Sequence, residues 1–578
     1  MAKTLYKAKF KDKLPLGGIA TGYINLGCDA SISLETRESS NLSFFAIKAE
    51  KDGVLTDARV LQASKAPSSL LAPFEKAESA CYFPFTEICF SDSSFPADIK
   101  MTAFSPFIPL NDTDSGIPAV HFEFEITNTA CSRLDFSIGC ASQSMSNSSF
   151  NRMGCTETGE AYILLSGDEE ASPNTCIATN GKNVSFCEYT NPEAFTENFT
   201  RNPTLYNSTK SEFDVPFPFG ALCTHFSLNR GEKKTVSFCL SWYLPRNEFS
   251  RNYYAQYFES SLECASYLFR QSDRLRSYSL EFSESIFTST LNADVLEEIG
   301  KDLFSLISAK HTRLDNGEFI SAESQRFSNL ESFISRGTKL SVLFPNLEYS
   351  ELCRIYKNNL YESLCDDERL LLIIRSYRHY LLSSDLDALI EDWYDIVKCM
   401  QSIFGENREL QCVKDSNLKA AAIRAFSEMA EAVKDKKRQE LYSSLTPSLS
   451  DKQASSSFTQ GFKQIAGITG FSYKANTKQL SFSPDSDSCP LDDGGTFRCF
   501  FCTHTCYGYV EEGIDYIEIK LLHGKLLVRS FGVPRTPRLV QYGGRNWRFE
   551  DTGLCALLDS VLEVTPQKKL TILIDIKQ

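Results

Sequence analysis

From Leu14 to about Tyr243 the chain is written in short apolar runs broken at frequent intervals by turn residues. Val120, Phe122, Phe124 and Ile126 alternate with His121, Glu123 and Glu125, a period of two that predicts a strand with an apolar face inward and a polar face outward. Thr235-Val-Ser-Phe-Cys-Leu-Ser-Trp repeats the pattern, and many such runs predict a large β-sandwich. Near Arg251 to Phe258 (RNYYAQYF) a helical region opens and the period changes. Leu296, Ile299, Leu303 and Leu306 recur at three and four residues, with Asn292 placed to cap and Asp294 and Glu297 favourable near the helix start. A second stripe runs through Leu386, Leu389, Ile390, Trp393, Val397 and Met400, and a third through Ile423, Phe426, Ala430 and Val433. Stripes of this width predict the packed core of a helical domain rather than faces for partner helices.

Lys434 to Phe458 breaks the rhythm with a charged run and then serines, which suggests a loosely ordered connection or a short, poorly capped helix. After Gly467 alternation returns, with Ile517, Ile519 and Leu521 against Glu518 and Lys520, and His523-Gly524 reads as a hairpin turn before Lys525 to Phe531. The expected architecture is multidomain β + α: a large N-terminal β-sandwich over residues 1–275, a helical domain over 276–462 and a β-rich C-terminal region over 463–578.

Composition narrows the chemistry. A net charge of -14 over 578 residues argues against nucleic acid, whose phosphates need clustered Lys and Arg. The run Arg535, Arg538, Arg545 and Arg548 reads as a solvated hairpin surface rather than an anion patch. No apolar run approaches the ~18 residues of a membrane span, and MAKTLYKAKFKDK lacks a secretory apolar core, so a cytoplasmic location is expected. The 20 cysteines show no disulfide spacing and are read as reduced, mostly buried thiols. Cys499, Cys502, His504 and Cys506 have zinc-ligand chemistry, but along one strand Cys502 and Cys506 would stand ~13 Å apart, too far to share a tetrahedral ion. The six histidines show no ligand pairing, and no phosphate loop or dinucleotide fingerprint appears. No metal or cofactor is expected.

The motifs point further. Leu14 to Asn25 read LPLGGIATGYIN, Phe83 to Phe90 read FPFTEICF, and Phe104 to Asn111 read FSPFIPLN; Ser241-Trp-Tyr-Leu-Pro then leads into RNYYAQYF. In this order they resemble the amino-terminal domain of glycoside hydrolase family 116, the bile-acid-type and non-lysosomal glucosylceramidase-like β-glucosidases. Arg313-Leu-Asp-Asn-Gly-Glu-Phe and Leu343-Phe-Pro-Asn-Leu-Glu are similar to the start of that family's catalytic domain. The resemblance implies a β-sandwich joined to an α/α toroid and a carbohydrate context, with a β-glucoside as the small-molecule partner. Between Asn292 and Gly467 there is room for only about six or seven helices of common length, so the toroid is expected to be incomplete.

Retaining hydrolysis, the family's chemistry, needs a nucleophilic carboxylate and an acid about 5 to 5.5 Å apart. The resemblance places Glu323 at the nucleophile position after the Gly-x-Phe element, although SQRFSNLESF replaces the motif that should follow; its plain alternative is a solvated loop residue. The family's acid loop has no clear counterpart; Asp415 is the weak acid/base candidate there and reads first as a helix cap. Any remaining site is expected between the sandwich and the helices, where Tyr253, Tyr254 and Tyr257 serve interdomain packing or stack on a sugar. The expectation is a family 116 relative with weak or lost hydrolase activity, against an active β-glycosidase using Glu323 or a non-catalytic scaffold.

Overall fold

The computed structural model describes residues 4–575 apart from 36–39, 65–66, 146–150, 168–171, 209–216, 248, 309–310, 322–338, 341, 405–415, 445–468, 485–490, 493 and 554. Among the described residues, one N-terminal sheet holds nine strands and its partner eight. The two pack face to face as a β-sandwich. Phe45 from one sheet meets Phe122, Phe124 and Phe238 from the other at ring-centroid distances of 5.0, 4.8 and 5.5 Å. The period-two reading of Val120 to Ile126 holds on its inner face, where all four apolar residues are fully buried. On the outer face it fails at His121, which is buried against Phe104 and Phe269, because a helix covers that side of the sheet.

Helix α1 (Pro192–Arg201) lies within the sandwich region. The covering helix is α2 (Ser261–Arg270), whose start is capped by Ser260; α3 (Ser272–Phe287) and α4 (Ala293–Ser308) follow. RNYYAQYF itself forms a 3-10 turn at Tyr253–Gln256 rather than the first α-helix. Phe282 of α3 ties the molecule together, since its ring meets Phe107 of the sandwich at 5.4 Å and Phe500 of the C-terminal region at 5.5 Å. Full burial of one such ring stabilises the fold by about 1.5–3 kcal/mol.

A second core lies among α5 (Pro345–Lys357), α6 (Asp366–Ser383), α7 (Leu386–Phe404), α8 (Ser416–Ala432) and α9 (Lys436–Ser443). The predicted stripe of α7 is only partly right: Leu389, Val397 and Met400 are buried, but Leu386 and Ile390 are 37% and 54% exposed. The inward face continues instead through Ile396, Cys399 and Ile403. The charged part of the run after Lys434 folds as α9, capped by Asp435, whose side chain accepts from the Arg438 N–H at 3.3 Å; the serine-rich part from 445 to 458 lies outside the described residues.

The C-terminal region is β-rich, as expected, and builds two further sheets around Val510, Ile519, Val528 and Leu562. His523-Gly524 does turn the chain, with Gly524 at φ +79°, but the flanking strands do not pair. Tyr516–Gly524 belongs to one sheet and Leu526–Gly532 to the other, so the turn is a crossing between layers. The cysteine-rich segment is likewise two strands, Phe497–Cys502 and Cys506–Glu512, paired as a hairpin. That overturns the single-strand premise about Cys502 and Cys506. The Cys502 thiol lies 3.0 Å from the Val342 carbonyl as donor, and burial pushes the Cys506 thiol up to about 12. Among the described residues no group of three or more His, Cys, Asp or Glu could hold a metal ion, and no helix is long and apolar enough to cross a membrane.

Candidate functional site

Five motifs far apart in sequence meet at one cleft. Its walls come from Ile19 to Thr21 of the glycine-rich turn, Asp112 and Thr113 after FSPFIPLN, Tyr253 and Tyr257 of RNYYAQYF, Arg313 and Phe319 of RLDNGEF, and Leu347 of LFPNLE. The opening is shallow, with only about 20 Å³ of water-accessible space, and is continuous with solvent. It lies where the sandwich loops approach the helical region.

The double glycine is what lets these loops close. A Cβ on Gly18 would stand 2.6 Å from the Gly116 carbonyl carbon and from the Ile117 oxygen, so the 17–22 turn can lie against 114–117 only without a side chain there. Ile19 N–H donates to Ser115 O at 2.8 Å, and the buried Trp242 indole donates to Thr21 O at 2.6 Å. Asp114 is held from three sides, by Asn111, Tyr267 and Arg274, which fixes the neighbouring Asp112 and Thr113. On the opposite wall, His311–Arg313 and Phe319–Ser321 pair as a hairpin. Ser350 of α5 locks its turn, accepting from Phe319 N–H at 3.0 Å and donating to Gly317 O at 2.8 Å.

Chemistry in the cleft centres on Arg313. Its Nη2 reaches Asp112 Oδ2 at 3.2 Å, while the guanidinium lies over the Tyr253 ring, 3.5 Å from its centroid. The stack and the ion pair together hold it. Tyr253 and Tyr257 share a hydrogen bond at 3.0 Å; that contact and then partial burial raise the Tyr257 phenol above its ordinary value. Tyr257 is 53% exposed. Of the three tyrosines expected to pack between domains, only Tyr254 is buried, donating to Leu244 O at 2.8 Å. Asp112 is the one carboxylate lining the cleft among the described residues, and it is ion-paired.

Glu323 and Asp415, the candidate nucleophile and acid, lie outside the described residues. A different carboxyl pair shares a single cation. Glu348 and Glu351 of α5 both contact Arg375 Nη2, at 2.7 and 2.5 Å. Glu348 is fully buried and Glu351 only 5% exposed, so no sugar can reach them. Burial would lower the Arg375 guanidinium, but the two glutamates outweigh it and hold it above its ordinary value. The triad is a structural ion cluster.

Sequence reasoning missed both arrangements. Arg313 sits inside a quoted motif, yet its partner Asp112 is 201 residues away. Two histidines distant in sequence also meet: His379 stacks on Tyr349 at 4.8 Å and lies 5.0 Å from His504. Burial lowers His379 to about 4, so it remains a neutral packing residue near neutral pH. Of the basic run, Arg535 is occupied with Glu512 at 2.8 Å, and Arg538 lies near Asp515 and Asp575.

Residues 14–275 match the family model described as beta-glucosidase 2, glycosyl-hydrolase family 116 N-term. That span is a family 116 N-terminal domain, and it gives the chain a carbohydrate-related setting. Among solved structures, the chain is similar to a protein provisionally described as a kojibiose phosphorylase from the human microbiome, at 10% identity and a TM-score of 0.39, covering 97% of this chain and 99% of that one. It is also similar to a family GH92 α-mannosidase from Bacteroides thetaiotaomicron, at 9% identity and a TM-score of 0.34, covering 77% of this chain and 63% of that one. No curated protein matches.

Proposed function

We propose that this protein is a carbohydrate-associated relative of the family 116 β-glucosidases whose hydrolase activity is weak or lost, and that the Arg313 cleft receives a sugar. One observation carries the reading: the motifs shared with the family converge on a single opening that offers an exposed tyrosine, an aromatic-backed guanidinium and a paired carboxylate. An aromatic face suits the apolar side of a pyranose, and an Arg–Asp pair both donates to and accepts from hydroxyls. The described part of the cleft supplies positioning groups but no free acid, which favours binding over cleavage.

Calorimetric titration with β-glucosides tests this. Saturable binding that weakens about tenfold in Tyr257→Ala, as the loss of one stacking ring predicts, supports the sugar-binding reading. Absence of saturable binding to any glucoside overturns it and leaves the scaffold reading. Hydrolysis of an aryl β-glucoside that disappears in Glu323→Gln would replace it with the active-enzyme reading.

A further inference from the structure

Helix α7 buries one side only. Leu389, Ile396, Val397, Cys399, Met400 and Ile403 turn into the second core, whereas Leu386, Ile390 and Tyr394 follow one another a turn apart along the open side, since residues four apart share a helix face. Apolar residues scattered singly over a surface need no explanation. These three are aligned, and Tyr394, near the middle of the helix, is 67% exposed.

The polar residues on that side are sorted by charge. Asp387 and Glu391 precede Tyr394, while Lys398 and Gln401 follow it, and at 3.6 residues per turn all four point within about 60° of Tyr394. Their present partners hold them loosely. Glu391 meets Lys357 of α5 at 3.3 Å with both side chains exposed, and Lys398 lies 3.9 Å from Asp395 and 4.2 Å from the centroid of the Tyr394 ring; exposed ion pairs contribute only ~0–1 kcal/mol. The order is self-complementary. Glu391 stands three residues before Tyr394 and Lys398 four after it, and Asp387 and Gln401 each stand seven away. A two-fold contact requires residue i to meet j wherever j meets i. With Tyr394 on the axis and two α7 helices antiparallel, Glu391 of each copy faces Lys398 of the other, and Asp387 faces Gln401. A parallel pairing would set the acidic ends against each other, and so would oppose like charges.

We propose that the open face of α7 is an interface with a second copy of this chain, formed by antiparallel pairing of the two helices about Tyr394. Residues 387 to 401 give a contact about 21 Å long. One helix pair buries less than the ~800 Å² per partner of a standard interface, so the dimer should be weak, with a Kd on the order of tens of micromolar. Sedimentation velocity of the full chain between about 1 and 200 µM should show the 65.0 kDa monomer giving way to a dimer. Tyr394→Glu places two carboxylates on the axis and should leave only monomer. Glu391→Lys and Lys398→Glu each oppose like charges twice per dimer and should weaken it by on the order of tenfold, whereas Glu391→Lys/Lys398→Glu together should restore the wild-type Kd. Thermal unfolding should be unchanged in all four variants, because these side chains stand outside the core. A monomer throughout that range would overturn the proposal and leave the face to another partner or to solvent. A dimer undiminished in Tyr394→Glu would place the interface elsewhere, and a double charge variant no better than the single ones would refute the antiparallel register.

Discussion

Replacing Arg375 with Met removes a cation that bridges Glu348 and Glu351. The guanidinium donates from Nε and Nη2 to Glu348 at 2.8 and 2.7 Å and from Nη2 to Glu351 at 2.5 Å, and all three side chains are at least nine-tenths buried. Methionine fills the space but leaves two buried carboxylates facing each other. Breaking such a cluster from one side costs about 3–5 kcal/mol; Arg378, 3.6 Å from Glu348, partly compensates and places the expectation near about 3 kcal/mol. Urea unfolding followed by tryptophan fluorescence reports on this core, since Trp393 stacks on Phe426 at 4.9 Å. The loss should shrink as the pH is lowered from 7.5 to 5, because stranded carboxyls have raised folded-state values and their penalty fades as they protonate. The triple variant Arg375→Met/Glu348→Leu/Glu351→Met should recover most of the stability, as an apolar replacement of the whole cluster does. A single-variant loss below about 1 kcal/mol, or one that does not change with pH, would refute a charge-compensation role for Arg375.

Two more outcomes follow from burial and close approach. His379 is held at about 4 against 6.5 when unfolded, mainly by burial, so its contribution is intact above 6.5 and is lost as pH falls towards 4, when only the unfolded chain takes the proton. His379→Phe keeps the ring stack and should remove about 2 kcal/mol of the stability lost between pH 7.5 and 5, measured as the difference in urea midpoints between the two proteins. Gly18→Ala forces the 17–22 turn off Gly116 and Ile117, and thermal unfolding should show a loss of about 1–3 kcal/mol, accompanied by weaker glucoside binding in the titration described above.

The apolar alternation of Val120 to Ile126 was legible because sheet periodicity is local, whereas the burial of His121 was not: it depends on α2, whose covering face is joined to that strand only in three dimensions. The same limit explains α7. Its apolar stripe was visible, but the sequence could not say which edge of a broad stripe meets the other helices, and Ile390 lies on the open edge. Thr503 to Thr505 reverses the chain without a glycine or proline, so nothing in the composition flagged the hairpin that separates Cys502 from Cys506. In the cleft, the contributing motifs were each visible, but their convergence rests on the Asp112–Arg313 pair and on loops brought together at Gly18.

What the cleft can do follows from how its charges are already spent. A general acid must hold a proton near the working pH and release it to a leaving oxygen within hydrogen-bond reach. Asp112 is already engaged by the Arg313 guanidinium at 3.2 Å, and its oxygens are placed to accept from Arg313 or from a sugar hydroxyl. Glu348 and Glu351 are buried and tied to Arg375, with neither access nor freedom to act. Any catalytic pair in this protein must therefore draw a member from 322–338 or 405–415, the segments holding Glu323 and Asp415, or from a carboxylate outside the cleft. This makes Glu323→Gln the decisive substitution. Retained glucoside affinity without any hydrolysis in either protein is the result that the binding reading requires.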